Sequence, residues 1–141
     1  MFIGEYNHAI DTKGRLIIPS KFRELLGEQV TVTRGLDGCL FLSQVDEWRS
    51  FGKKLENLPL DDKKARKLKR FFASGAATCD IDKQGRVLIP QPLRNFAKID
   101  KDVMLIGMIN RIELWDTERY KEMNDYDDIE DILEELELDL N

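Results

Sequence analysis

Residues 11–23 read DTKGRLIIPSKFR and residues 82–94 read DKQGRVLIPQPLR. Asp, Gly, Arg, Ile, Pro and Arg recur in register as Asp11/Asp82, Gly14/Gly85, Arg15/Arg86, Ile18/Ile89, Pro19/Pro90 and Arg23/Arg94. A chain of 141 residues that writes one phrase twice is a duplication, and self-similarity of this kind sets the fold before any other signal does. The likeness continues outward. Each phrase leads into a short helix-like stretch (SKFRELLG, QPLRNFAK), a β-rich run (VTVTRG, VMLIGM), a second apolar run (CLFLS, RIELW) and an amphipathic stretch (VDEWRSF, TERYKEM). Preceded by the β-prone approaches FIGEYNHAI and AATCDI, these segments spell two β-β-α-β-β-α units.

Within each phrase, Gly14 and Gly85 supply a residue that tolerates positive φ where the chain turns. RLIIP and RVLIP are strands too short to be helices, each ended by proline. Asp11 stands four residues before Arg15, and Asp82 four before Arg86, so each pair can meet across its turn as a bracing ion pair. A single unit is too small for an independent core. The expectation is therefore that two units pack their sheets on each other as a pseudo-two-fold barrel, with the sheet edges and the surroundings of Trp48 and Trp115 open to pairing between chains.

The organisation reads as a first repeat over 5–47, a connecting helical segment over 48–75, a second repeat over 76–119 and an acidic amphipathic tail over 120–141. In the connector, Asp61 and Asp62 open a helix and Lys69 and Arg70 close it, as the helix dipole favours. Ala65, Leu68 and Phe72 share one stripe, and six bases in the eight residues 63–70 form either a solvated face or a phosphate-touching one. Ile129, Ile132, Leu133, Leu136 and Leu140 share a helical face in the tail. Docking on its own body, docking on a neighbour and fraying all remain open for this segment.

Apolar residues at 42% and charged residues at 35% describe a soluble globular chain without a membrane span. The N-terminus lacks a basic region followed by a long apolar stretch, which reads as no secretory signal and a cytoplasmic protein. Cys39 and Cys79 lie far apart and read as small buried thiols; with His8 as the one histidine they do not make a zinc site, so no metal or other cofactor is expected. No nucleophile elbow or phosphate-binding glycine loop is present, which argues against an enzyme and leaves no catalytic residue to name. The net charge of −5 conceals an asymmetry. Residues 116–141 carry twelve acids against Arg119 and Lys121, whereas residues 1–115 carry 20 bases against 15 acids. A basic body with an acidic tail points toward a polyanion.

MFIGEYNHAIDTKGRLIIPSKFR, TRGLDGCLF, FASGA, DKQGRVLIP and NRIELWD together resemble the MraZ family of bacterial proteins, over nearly the whole chain and least over 122–141. Its hallmark is the paired D-x-x-x-R motif, met here as Asp11/Arg15 and Asp82/Arg86. The resemblance implies an α+β fold of tandem AbrB-like, swapped-hairpin domains with flanking helices, assembled into a ring-like homo-oligomer. It also implies a sequence-specific transcriptional regulator, usually a repressor, that binds short direct repeats of double-stranded DNA at the promoter of a cell-division and cell-wall gene cluster including its own gene, and that associates with the nucleoid. On that reading Arg15 leads in contacting bases, while Arg86 either helps it or braces the fold. Lys13 and Lys83 contact phosphates. Asp11, Gly14, Asp82 and Gly85 shape the turns. Arg23 and Arg94 are open to either a structural or a binding role. The alternative is an antitoxin-type module whose acidic tail, with Leu133 and Leu136 as anchors, binds a protein.

Overall fold

The computed structural model describes residues 1–141. The duplicated α+β architecture expected from the sequence is present. The first repeat contributes β1 (Glu5–Ala9), β2 (Arg15–Ile17), α1 (Ser20–Leu26), β3 (Gln29–Arg34), β4 (Leu40–Ser43) and α2 (Val45–Glu56). After α3 (Lys63–Ala73), the second supplies β5 (Ala77–Asp80), β6 (Arg86–Leu88), α4 (Gln91–Phe96), β7 (Asp102–Gly107), β8 (Ile112–Asp116) and α5 (Thr117–Met123). A last helix, α6 (Ile129–Glu135), lies in the tail.

The repeats interleave, as the swapped-hairpin resemblance implies. A six-stranded sheet runs β1-β7-β8-β4-β3-β5, and β2 pairs with β6 in a separate two-stranded ribbon. Exchanging the repeats reverses the six-strand order onto itself, which is the pseudo-two-fold. The first strand of each repeat thus pairs with the third strand of the other, Tyr6 opposite Leu105 and Thr78 opposite Thr31. All of the pairings are antiparallel. Neither half is complete without strands lent by the other, the physical reason why a unit of roughly 40 residues can persist here.

One core results, with eighteen buried residues drawn from both repeats. Leu16 and Val87, directly opposed at the centre of the ribbon, are fully buried. So are Val30, Val32, Leu42, Leu105 and Leu114. Phe22 of α1 takes Phe2 and Tyr6 edge-on, at centroid distances of 5.6 and 5.1 Å, a geometry that the ring quadrupoles favour. A smaller cluster joins Cys39, Met104, Trp115 and Tyr120. Trp115 is therefore buried inside its own chain. Cys39 is buried and Cys79 half-buried, and both are free thiols. Burial, with Glu113 and Asp37 nearby, pushes the Cys39 thiol up to about 12.

Asp62 caps α3 through the amides of Lys64 and Ala65, as its acidic start suggested. Ala65 and Phe72 face inward, but Leu68 is 44% exposed, so the inward stripe is narrower than the sequence spacing indicated. Arg34 clamps this helix to the sheet: its guanidinium donates to the Phe71 carbonyl and Ser74 Oγ, and lies over the Phe71 and Phe96 rings. The tail leaves the body at Tyr120, whose hydroxyl donates to Glu5 Oε1 at 3.0 Å and lies 2.9 Å from the Tyr126 hydroxyl. Helix α6 buries no residue, and it ends before Leu136 and Leu140, which are exposed. No helix is long and apolar enough to cross a membrane.

Leu16→Ala should lower unfolding free energy in urea by about 2–5 kcal/mol, the range for emptying a buried leucine site. Leu68→Ala should change it by no more than about 0.5 kcal/mol.

Candidate nucleic-acid interface

The repeated phrase builds the same object twice. Asp11 Oδ1 accepts from the amides of Lys13 and Arg15, each at 2.9 Å, and its Oδ2 accepts from Arg15 Nε at 2.7 Å. Asp82 does the same with Gln84 N–H, Arg86 N–H and Arg86 Nε, at 2.9, 2.8 and 2.8 Å. The Asp11 and Asp82 carbonyls accept from the Gly14 and Gly85 amides, closing each turn. Gly14 and Gly85 have φ of +89° and +79°, the conformation that calls for glycine. The expected Asp–Arg pairs and glycine turns are thus in place. They are not hairpins between mutually paired strands, however. Each turn joins a strand of the large sheet to a strand of the ribbon, because β1 pairs with β7 and β2 with β6.

The second glycine constraint comes from the opposite repeat. A Cβ on Gly14 would lie 2.6 Å from Arg94 Cζ, and one on Gly85 would lie 2.6 Å from Arg23 Cζ. The carbonyls of these glycines reach across too: Gly14 accepts from Ile89 N–H and Gly85 from Ile18 N–H, both at 2.9 Å. Arg94 is held by donating Nε to the Ile89 carbonyl at 2.9 Å, whereas the buried Arg23 Nε has no partner. Arg23 and Arg94 therefore pack as covers for each other's turns. Sequence reading left their role open because the glycine each one covers lies in the other repeat.

In the ribbon, Arg15 stands opposite Leu88 and Ile17 opposite Arg86. With Leu16 and Val87 turned inward, strand alternation puts Arg15, Ile17, Arg86 and Leu88 on the outer face. The strand rise and spacing place the Cα atoms of Arg15 and Arg86 roughly 8 Å apart. Lys13 and Lys83, in the turns at the two ends, are exposed. The two arginines thus share the ribbon's outer face, and the two lysines sit exposed in the turns that lead into it. Each arginine has its Nε occupied by its own aspartate, and no hydrogen bond within the chain uses its two terminal amino groups. What remains is a forked, oriented pair of donors, the shape that matches two adjacent acceptors.

The carboxylates respond to this setting. The Arg15 amide, ahead of the Arg15 side chain and the Lys13 amide, holds the Asp11 carboxyl below the usual carboxylate range, although partial desolvation works against it. Asp82 is lowered likewise, first by the Arg86 amide. Folded-state values below the unfolded one mean that this stabilisation is complete above about pH 4 and is lost as pH falls through the lowered values. A carboxyl-detected NMR titration should place the Asp11 and Asp82 midpoints below 3.8, the unperturbed value. The double variant Asp11→Asn/Asp82→Asn should lose less stability than the native chain on acidification below about pH 4. Gly14→Ala should destabilise by about 1–2 kcal/mol in urea unfolding, from the positive φ alone, and by more because Arg94 must also move.

The family model described as "MraZ protein, putative antitoxin-like" matches twice, over residues 1–71 and 72–138. A transcriptional regulator MraZ of Lachnoclostridium phytofermentans is 53% identical over 136 residues, 96% of this chain and 95% of that protein. The transcriptional regulator MraZ of Clostridium tetani is 54% identical over 137 residues, covering 96% of each. That of Thermoanaerobacter sp. strain X514 is 52% identical over 143 residues, covering 100% of this chain and 99% of its own. The chain belongs to the MraZ family of transcriptional regulators.

Proposed function

We propose that this protein is a sequence-specific DNA-binding regulator that reads double-stranded promoter DNA through the outer face of the β2–β6 ribbon. The observation that carries the reading is the pair of aspartate-anchored arginine forks on that face. B-DNA's major groove admits a two-stranded ribbon, and an arginine fork there meets guanine O6 and N7, a contact worth about 1–3 kcal/mol of discrimination. The ~8 Å between Arg15 and Arg86 corresponds to two or three base steps. Lys13 and Lys83, at the two turns, are placed to meet the flanking phosphates, which set register without reading sequence.

One chain offers few contacts, so affinity must come from repetition. A ring-like homo-oligomer setting successive ribbons on successive direct repeats gains avidity without any new contact, provided the spacings match. The regulated DNA is the promoter of the division and cell-wall gene cluster that includes the protein's own gene, the regulation is repression, and the protein works in the cytoplasm at the nucleoid. The acidic end of the chain, residues 116–141 with an excess of ten negative charges, lowers nonspecific attraction of the basic body to other DNA.

A second reading rests on one observation: α6 buries nothing, and of the two expected anchors Leu133 is half-buried on it and Leu136, just past its end, is exposed. Such a helix suits an antitoxin-type grip on a protein partner, which accords with the antitoxin-like description of the family.

Fluorescence anisotropy against DNA from upstream of the protein's own gene tests these readings. At fixed salt the native protein should prefer the repeats to scrambled sequence. Arg15→Ala and Arg86→Ala should each cost that preference roughly 5- to 150-fold, corresponding to ~1–3 kcal/mol. Lys13→Ala should weaken all sequences alike and flatten the salt dependence by about one unit of slope. Deleting 122–141 should leave the preference intact. Native protein without any preference, or a tail deletion that loses a protein partner while DNA binding stays unchanged, would favour the second reading.

A further inference from the structure

Between the two arginines of the ribbon stand two aliphatic side chains for which phosphate and guanine recognition have no use. Ile17 is 49% exposed and Leu88 56% exposed. Each lies directly across the ribbon from an arginine of the other repeat, Leu88 from Arg15 and Ile17 from Arg86, at the ~5 Å spacing of opposed side chains. A single exposed leucine on a protein surface is ordinary. Two aliphatic groups at equivalent positions of a pseudo-two-fold, each in register with a forked donor already anchored by its own carboxylate, form a pattern.

The pattern has one chemical complement in a major groove. The edges of the base pairs there present acceptors and donors, and one apolar group, the C5-methyl of thymine. An aliphatic side chain ~5 Å from an arginine fork reaches a base within one or two steps of the guanine that the fork holds. We propose that Ile17 and Leu88 are specificity-determining residues that pack on thymine methyl groups, beside the guanines held by Arg86 and Arg15 respectively. The ribbon face is then a composite reader in which each repeat supplies the fork for one half and the apolar contact for the other. This inference rests on the DNA-binding reading above and deepens it.

The probe is duplex DNA from upstream of the protein's own gene, with thymine replaced by deoxyuridine throughout the repeats, which removes only the methyl groups. Anisotropy at fixed salt should show the native oligomer binding the deoxyuridine duplex about fourfold more weakly for each contacted methyl. Ile17→Ala and Leu88→Ala should bind the thymine duplex more weakly than native, and each should lose part of the discrimination between thymine and deoxyuridine. Both residues are half-exposed, so the variants should keep native circular dichroism and unchanged mass by light scattering. Equal binding of the two duplexes by native protein that still prefers repeats over scrambled DNA overturns this inference and leaves the DNA reading standing. Full discrimination retained by one variant overturns the role of that residue. An altered oligomer in either variant assigns the patch to contacts between copies and overturns the inference. A native protein indifferent to repeats and scrambled DNA alike overturns both.

Discussion

Each turn of this protein is closed by its own aspartate and covered by the other repeat's arginine. The Arg94 guanidinium occupies the space beside Gly14, and that of Arg23 the space beside Gly85. The carbonyls of the same glycines hold the backbone of Ile89 and Ile18 across the pseudo-two-fold. Strand exchange makes this possible: β2 and β6 have no partner except each other, and the ribbon they form buries Leu16 against Val87. Breaking the exchange would expose the core and unbuild both turns together. Fold and site therefore share one cause, the lending of strands between two copies of a unit too small to stand alone.

Rigid presentation is what the aspartates add. An exposed ion pair is a weak stabiliser, within about 1 kcal/mol, and a long arginine carries up to about 2 kcal/mol of rotamer entropy that ordering must overcome. Asp11 and Asp82 bind Nε and two backbone amides at once. The fork is thereby oriented before any partner arrives, and part of its ordering cost is met during folding, which favours tighter association. Local hydrogen bonds also explain why these carboxyls titrate low although each pair remains solvent-facing.

Much of this was legible in the sequence because it is local. The order of elements, the positive φ at Gly14 and Gly85 and the Asp11–Arg15 and Asp82–Arg86 contacts all depend on residues within a few positions of one another. Strand partnership was not legible. Residues 5–9 read as a strand, but nothing near them says that Tyr6 will face Leu105, so interleaving followed from the family resemblance and its register only from the structure. Arg23 and Arg94 were ambiguous for the same reason. Leu68 shares a helical stripe with Ala65 and Phe72, yet the neighbours of α3 do not extend over it. Ile17 and Leu88 carried a usable signal. Alternation in RLI and RVL already puts the arginine and the third residue on one face opposite the buried centre; what was missing was the register that sets each beside the other repeat's arginine.

The central claim is that two arginines, brought together by strand exchange, read one short stretch of duplex as a unit. Replacing single guanines of the repeat by 7-deazaguanine, which lacks the N7 acceptor, tests it most directly when native, Arg15→Ala and Arg86→Ala proteins are titrated against the whole set. The account predicts that native binding is sensitive at two guanines two or three base steps apart. Arg15→Ala should abolish sensitivity at one of them and Arg86→Ala at the other. Sensitivity at a single guanine, or at guanines a helical turn apart, would contradict it.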